Sequence, residues 1–177
     1  MKILATAGSH LPSISTALAA QWDYRSLNAL RPLWEQLTGA APHVILGTPP
    51  SRFTDLTSFA DLRVRLLRRT IEIRDAQLAL RGYVTDENYR RLRDQLINQG
   101  VTGEQFDAAL EAAWLTAAVT ARHRGGPFAP VAPRPVHGGS DVHSEARWLR
   151  RVDAARRSKT VTTALSKLNE HKAARQA

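Results

Sequence analysis

The sequence predicts an all-α protein, a helical bundle built around two long helices at residues 59–81 and 102–124. Apolar side chains recur at helical spacing in these segments and in several others. Glycines, prolines and capping residues separate the segments. A chain of 177 residues that is 43% apolar is long enough to bury one core. We therefore expect one bundle domain with appendages.

The first predicted helix occupies residues 13–30, with Ser13 as its N-cap. A second apolar stripe then crosses Pro32, which has no backbone N–H and clashes with the preceding turn. This pattern predicts a broken helix that ends at Gly39. The stripe consists of Leu27, Leu30, Trp34 and Leu37. Residues 41–58, with three prolines, are predicted to form an irregular connection.

Residues 59–81 are apolar on two sides, which predicts a helix packed from two directions. The first stripe is Phe59, Leu62, Leu66, Ile73, Ala76 and Leu80, and the second is Ala60, Val64, Leu67, Ile71 and Leu78. The solvent side is predicted to carry Asp61, Arg65, Arg68, Glu72 and Asp75. Between the stripes runs a polar seam of Arg63, Thr70, Arg74, Gln77 and Arg81.

The next two helices have clear start and stop signals. Thr85 precedes two acids and Gly100 ends the pattern, so the first helix lies between them. Thr102 and Gln105 match a capping box that opens the alanine-rich helix at residues 102–124. Its small side chains favour close packing against residues 59–81.

Residues 125–139 contain four prolines and four glycines, which predicts a loosely packed linker. Ser140 is the predicted cap of an amphipathic helix whose apolar stripe docks on the bundle through Trp148, Leu149 and Val152. Its polar face carries Arg147, Arg150, Arg151 and Arg157. A weaker helical pattern follows and is expected to fray by His171. The predicted organisation is an extension (1–12), a bundle (13–124), a linker (125–139) and a basic helix with a tail (140–177).

The net charge of +9 is concentrated near the C-terminus, where residues 125–177 hold ten Lys or Arg against four Asp or Glu. Such a surplus favours phosphates of nucleic acid or anionic lipid, or serves solubility. The absence of cysteine excludes disulfides and thiolate metal sites. No apolar run is long enough for a signal peptide or a membrane span, so we expect a cytoplasmic chain.

No pattern for catalysis, cofactor binding or metal binding is present. The six histidines are scattered without a ligand partner at helical spacing, and there is no Gly-rich phosphate loop or nucleophile elbow. The four tryptophans fall on apolar stripes, which favours core packing. Arg63, Arg74 and Arg81 are the candidates for holding an anionic ligand or a partner's acids, unless Asp75 or carbonyl groups already satisfy them.

Four segments together resemble the soluble C-terminal domain, of unknown function, of a family of actinobacterial membrane proteins labelled as transporters. They are LNALRPLWEQLTGAAP (27–42), DLRVRLLRRTIEIRDAQLALRGYV (61–84), ARHRGG (121–126) and EARWLRRV (145–152). The resemblance covers residues 12–157 and implies a helical, cytosolic domain beneath membrane helices. It implies no catalytic residues. Because this chain lacks the membrane helices, we expect an excised domain or a free-standing relative.

From these patterns we expect a non-enzymatic regulatory or protein-interaction module, associated with a membrane protein or with the inner face of the membrane. One alternative is a nucleic-acid-binding protein that uses the basic face at Arg147, Arg150, Arg151 and Arg157. No helix-turn-helix pattern supports it. The other alternative is a sensor of a small anion with a pocket formed by Arg63, Arg74 and Arg81.

Overall fold

Six α-helices build the part of the chain that the structure describes. The computed structural model describes residues 14–48, 51, 61–135 and 137–174. The helices are α1 (Ile14–Ala40), α2 (Leu62–Leu80), α3 (Asp86–Asn98), α4 (Gly103–His123), α5 (Val142–Arg156) and α6 (Lys159–Ala174). The described residues contain two short 3-10 turns, Pro42–Val44 and Arg81–Tyr83, and no strand. The predicted all-α class is confirmed. Outside the described residues lie Ser13, residues 49–50 and 52–58 of the predicted connection, and Phe59 and Ala60 at the start of the predicted long helix.

Helix α1 runs unbroken through Pro32, so the predicted break is wrong. Leu30 and Leu33, on either side of the proline, are fully buried. Burial of this stripe on α2 and α5 outweighs the cost of about 3 kcal/mol that a proline imposes inside a helix. Helix α1, with 27 residues, is the longest of the six described helices and the main neighbour of α2.

Only one of the two predicted apolar stripes of α2 packs into the core. Leu62, Leu66, Ile73, Ala76 and Leu80 are buried as predicted. Within the described residues the second stripe is exposed instead, at Val64, Leu67, Ile71 and Leu78, because α1, α4 and α5 all contact α2 from the core side. The prediction that α2 is packed from two directions is therefore wrong. Glu72, predicted to face solvent, is buried and accepts hydrogen bonds from Trp34 Nε1 (2.6 Å) and Leu46 N (2.8 Å).

Helix starts differ from the predictions in two places. Thr85 caps α3 as expected by accepting from Asn88 N at 3.2 Å, but the Thr102 side chain makes no cap bond to α4. Asp141, not Ser140, caps α5 and forms a capping box with Ser144. Hydrogen bonds from the Ser144 hydroxyl and from the Ser144 and His143 backbone lower the pKa of Asp141. A carboxylate accepts from several donors at once, which explains its advantage over a hydroxyl here.

Helix α5 docks on α1 and α4, as predicted. Trp148 is 7% exposed, and Leu149 and Val152 are fully buried. Helix α6 also packs on α3 and α4, and it extends to Ala174, past the predicted fraying point at His171. Its buried side chains are Val161, Ala164 and Leu168.

The segment at 125–135 is fastened to the bundle, so the prediction of a loosely packed linker is wrong. Ala129 N donates to Gly82 O at 3.0 Å, and the Phe128 ring meets Tyr83 edge-on. Arg134 donates to Asp86 Oδ1 (2.9 Å) and Val84 O (2.7 Å) while its guanidinium lies 4.1 Å from the centre of the Tyr89 ring. Proline-rich chain cannot form regular structure, but it packs where such side-chain anchors exist.

Candidate interaction face on helix α2

The side of α2 that points away from the core is apolar. We call it the outer face, and it consists of Val64, Leu67, Ile71 and Leu78, whose exposed fractions are 64%, 47%, 41% and 56%. At about 100° per residue, these positions lie opposite Ile73, which is fully buried. Helix α2 therefore has one apolar stripe in the core and another in solvent.

Charged side chains border the outer face on both edges. Arg63 and Arg81 are exposed on one edge, with Arg74 between them. The other edge carries Arg68, which donates to Glu72 Oε1 at 3.0 Å, and Asp75. One edge is thus mainly cationic, whereas the charges on the other edge have mixed signs.

Arg74 uses four of its five N–H donors on neighbouring acceptors. Its Nε donates to Glu145 Oε1 at 2.6 Å, and its Nη1 donates to Gln77 Oε1 (2.7 Å) and Glu111 Oε1 (2.9 Å). Its Nη2 donates to the carbonyl oxygen of His137. The seam residue Arg74 therefore joins α2, α4, α5 and the segment before α5. Its acceptors are Glu145, Glu111, Gln77 and a carbonyl group rather than Asp75.

Glu111 is buried at the centre of this network. Its Oε2 accepts from Trp148 Nε1 at 2.9 Å, and its Oε1 accepts from Arg74 and from Gln77 Nε2 (3.0 Å). Burial raises the pKa of Glu111, although Arg74 and the hydrogen bonds of Trp148 and Gln77 act in the opposite direction. The sequence analysis missed this residue. Its signal was a lone acid between apolar neighbours on the alanine-rich helix.

Two cavities flank the Arg74–Glu145 ion pair. The first, which we call the Arg81 cavity, has a volume of about 330 Å³. It is lined by Arg74, Gln77, Leu78, Arg81, Glu111, Trp114, Pro133, Arg134, Pro135 and Glu145. The second has a volume of about 350 Å³ and lies between the outer face, at Leu67 and Ile71, and the start of α5 at Asp141 and Val142. The outer face thus adjoins a concavity at each of two points.

The seven arginines chosen from the sequence do not form one site. Arg74 and Arg81 line the same cavity, whereas Arg63 lines neither of the two described here. Arg147, Arg150, Arg151 and Arg157 are all exposed on α5, as predicted. Arg151, however, pairs with Glu104, and Arg157 Nη1 lies 2.6 Å from Asp153 Oδ2. Arg150 Nη1 lies 3.5 Å from the Ser26 hydroxyl.

The described residues contain no group of three His, Asp or Glu side chains placed to hold a metal ion. None of the helices within the described ranges is long and apolar enough to cross a membrane.

A family model matches residues 19–158, which is most of the chain. The chain belongs to the family of unknown function DUF6545. The match to DUF6545 spans α2, the segment at 125–139 and α5, so all the residues of the Arg74 network fall within the family domain. None of the curated proteins matches the chain, and no solved structure does.

Proposed function

We propose that this protein is a non-enzymatic protein-interaction module that binds an amphipathic helix of a partner protein on the outer face of α2. The observation that carries the proposal is the exposure of Val64, Leu67, Ile71 and Leu78 along one side of a well-packed helix. Single exposed apolar residues are normal, but four along one side of a helix are typical of binding surfaces. Amphipathic helices bind their partners through apolar side chains at i, i+3, i+4 and i+7. The spacing of Val64, Leu67 and Ile71 follows the same helical repeat.

We also propose that the module works at the inner face of a membrane. The resemblance to domains that hang beneath membrane helices supports a regulatory role at the inner face of a membrane. Exposed Arg147 and Arg150 on α5 also support it, because cations gain about 1 kcal/mol each near an anionic leaflet.

The two alternatives from the sequence find less support. Binding of an anion by the predicted trio would require Arg74, whose guanidinium donates to four acceptors already. Binding of nucleic acid by α5 would require Arg151 and Arg157, which are paired with Glu104 and Asp153. Neither alternative explains the outer face.

Selection from a displayed library of amphipathic helices tests the proposal. We expect the wild-type chain to enrich helices with apolar residues at heptad-like spacing. The double variant Leu67→Ser, Ile71→Ser should lose this enrichment, and because both side chains are exposed it should keep its fold, as checked by circular dichroism.

Ile97→Ser on α3 is the matched control, since Ile97 is an exposed aliphatic residue outside the outer face. It should enrich the same helices as the wild type. The proposal is wrong if no helix is enriched, or if the Leu67→Ser, Ile71→Ser variant enriches the same helices as the wild type.

A further inference from the structure

We infer that the partner helix carries acidic residues along the edge that lies against Arg63 and Arg81, together with a large apolar side chain that enters the Arg81 cavity. This inference rests on the proposed function and names the chemistry of the partner. It follows from the charges at the edges of the outer face and from the shape of the cavity beside Leu78.

Arg63 and Arg81 supply the charge that an acidic edge would meet. Both side chains are exposed, and neither makes a hydrogen bond or an ion pair with any residue that the structure describes. Arg74, between them, is neutralised by Glu111 and Glu145. Since a helix rises about 1.5 Å per residue, the two free cations lie roughly 27 Å apart along α2. A partner helix of about five turns would reach both.

The Arg81 cavity supplies a place for an anchoring side chain. Leu78, Trp114, Pro133 and Pro135 give it apolar walls, and its volume of about 330 Å³ is at the low end for ligand sites. It therefore has room for one large apolar side chain. Arg134, fixed on Tyr89 and Asp86, holds the proline wall in place. Large side chains that fill such pockets dominate the energy of helix binding.

The charges at the edges of the outer face also favour this partner over two other possible occupants, a second copy of the chain and an anionic membrane. In an antiparallel pair of α2 helices, Arg63 of one copy would face Arg81 of the other, and like charges in an interface are unfavourable. An anionic membrane would meet the acids on the opposite edge, Asp61 and Asp75, and also Asp141 beside the second cavity. An amphipathic helix of another protein, acidic on one edge only, fits both edges.

The test uses a library of amphipathic helices in which the edge positions are fully randomised. Wild-type protein should enrich Asp and Glu on a single edge, with a large apolar residue about one turn from the last acid. An enriched peptide should bind Arg63→Glu, Arg81→Glu about tenfold more weakly, since two exposed ion pairs are lost. A peptide with Lys in place of the edge acids should recover the lost affinity on that variant.

Arg90→Glu, Arg93→Glu on α3 is the matched control, because it makes the same change of net charge on exposed residues elsewhere. It should bind the enriched peptide as the wild type does. Three outcomes overturn the inference. The first is that the enriched helices show no preference for acidic residues. The others are a dimeric mass in solution that the Arg63→Glu, Arg81→Glu variant changes, and binding to phosphatidylserine vesicles that the Leu67→Ser, Ile71→Ser variant loses. The first would leave the proposed function standing, whereas the absence of any enriched helix would reject both.

Discussion

Burial and charge oppose each other at Glu111. The carboxylate is 4% exposed and lies between apolar layers, yet it binds α2 through Arg74 and Gln77 and α5 through Trp148. Removing one member of such a network leaves the others buried without partners, which costs several kcal/mol. The network therefore fixes where α5 sits relative to α2 and α4.

The raised pKa of Glu111 predicts a particular pH dependence. The folded state holds the proton more tightly than the unfolded state, so the contribution to stability is fully present below the unfolded pKa and is lost as pH rises through the folded pKa. We expect the free energy of unfolding of the wild type, minus that of Glu111→Gln, to fall as the pH is raised above about 4.5, the ordinary pKa of glutamic acid. Chemical denaturation of both proteins measures this difference, and a difference that rises above that pH would contradict the prediction.

Ile73 tests which side of α2 is the core side. Because it is fully buried, Ile73→Ala should lower the free energy of unfolding by about 2–5 kcal/mol. Leu78 is more than half exposed, so Leu78→Ala should change the free energy of unfolding by less than about 1 kcal/mol. Urea denaturation of the two variants checks the prediction. Equal losses of stability in the two variants would mean that Leu78 is as buried as Ile73, which would contradict the orientation of α2.

At the scale of elements, Gly82 shows how the 125–135 segment is held. A Cβ at Gly82 would lie 2.5 Å from the Phe128 ring and 2.7 Å from Ala129 O. Gly82→Ala should therefore push the segment away from the Arg81–Tyr83 turn and lower the melting temperature. The shift should be several degrees, since 1 kcal/mol corresponds to roughly 2–8 °C in domains of up to about 250 residues.

Gly39→Ala is the control for that substitution. A Cβ at Gly39 meets nothing within 4 Å, and the residue lies in the last turn of α1. Alanine there should stabilise the helix by up to about 1 kcal/mol. If Gly82→Ala melted at or above the wild-type temperature, the segment would not be fastened as the structure shows.

Helical periodicity in the sequence predicted the all-α class and the buried stripes of α1 and α5. It could not predict the fate of the second α2 stripe, since periodicity marks an apolar side without saying whether a neighbour covers it. It also failed at Pro32, where burial of the surrounding leucines overrides local propensity. Long-range partners such as Glu111 for Arg74 depend on the packing of three helices, which no local pattern contains.

For the whole molecule, the docked α5 helix presents its arginines to solvent, and two of the four are paired with acids: Arg151 with Glu104, and Arg157 with Asp153, which also binds Arg156. We therefore expect only weak, salt-sensitive binding to phosphatidylserine vesicles, carried by Arg147 and Arg150. Cosedimentation should show that Arg147→Glu, Arg150→Glu abolishes it. The control Arg90→Glu, Arg93→Glu should bind as the wild type does, and equal loss in both variants would reduce the effect to net charge alone.

The central claim is that the outer face of α2 binds a partner helix, and methyl NMR tests it most directly. With an enriched helical peptide added to the isotope-labelled chain, the methyl groups of Val64, Leu67, Ile71 and Leu78 should show the largest shifts and intermolecular contacts. Those of Ile97 and Leu46, which are also exposed, should change little. Shifts centred on Ile97 or Leu46, with the four outer-face residues unchanged, would contradict the claim.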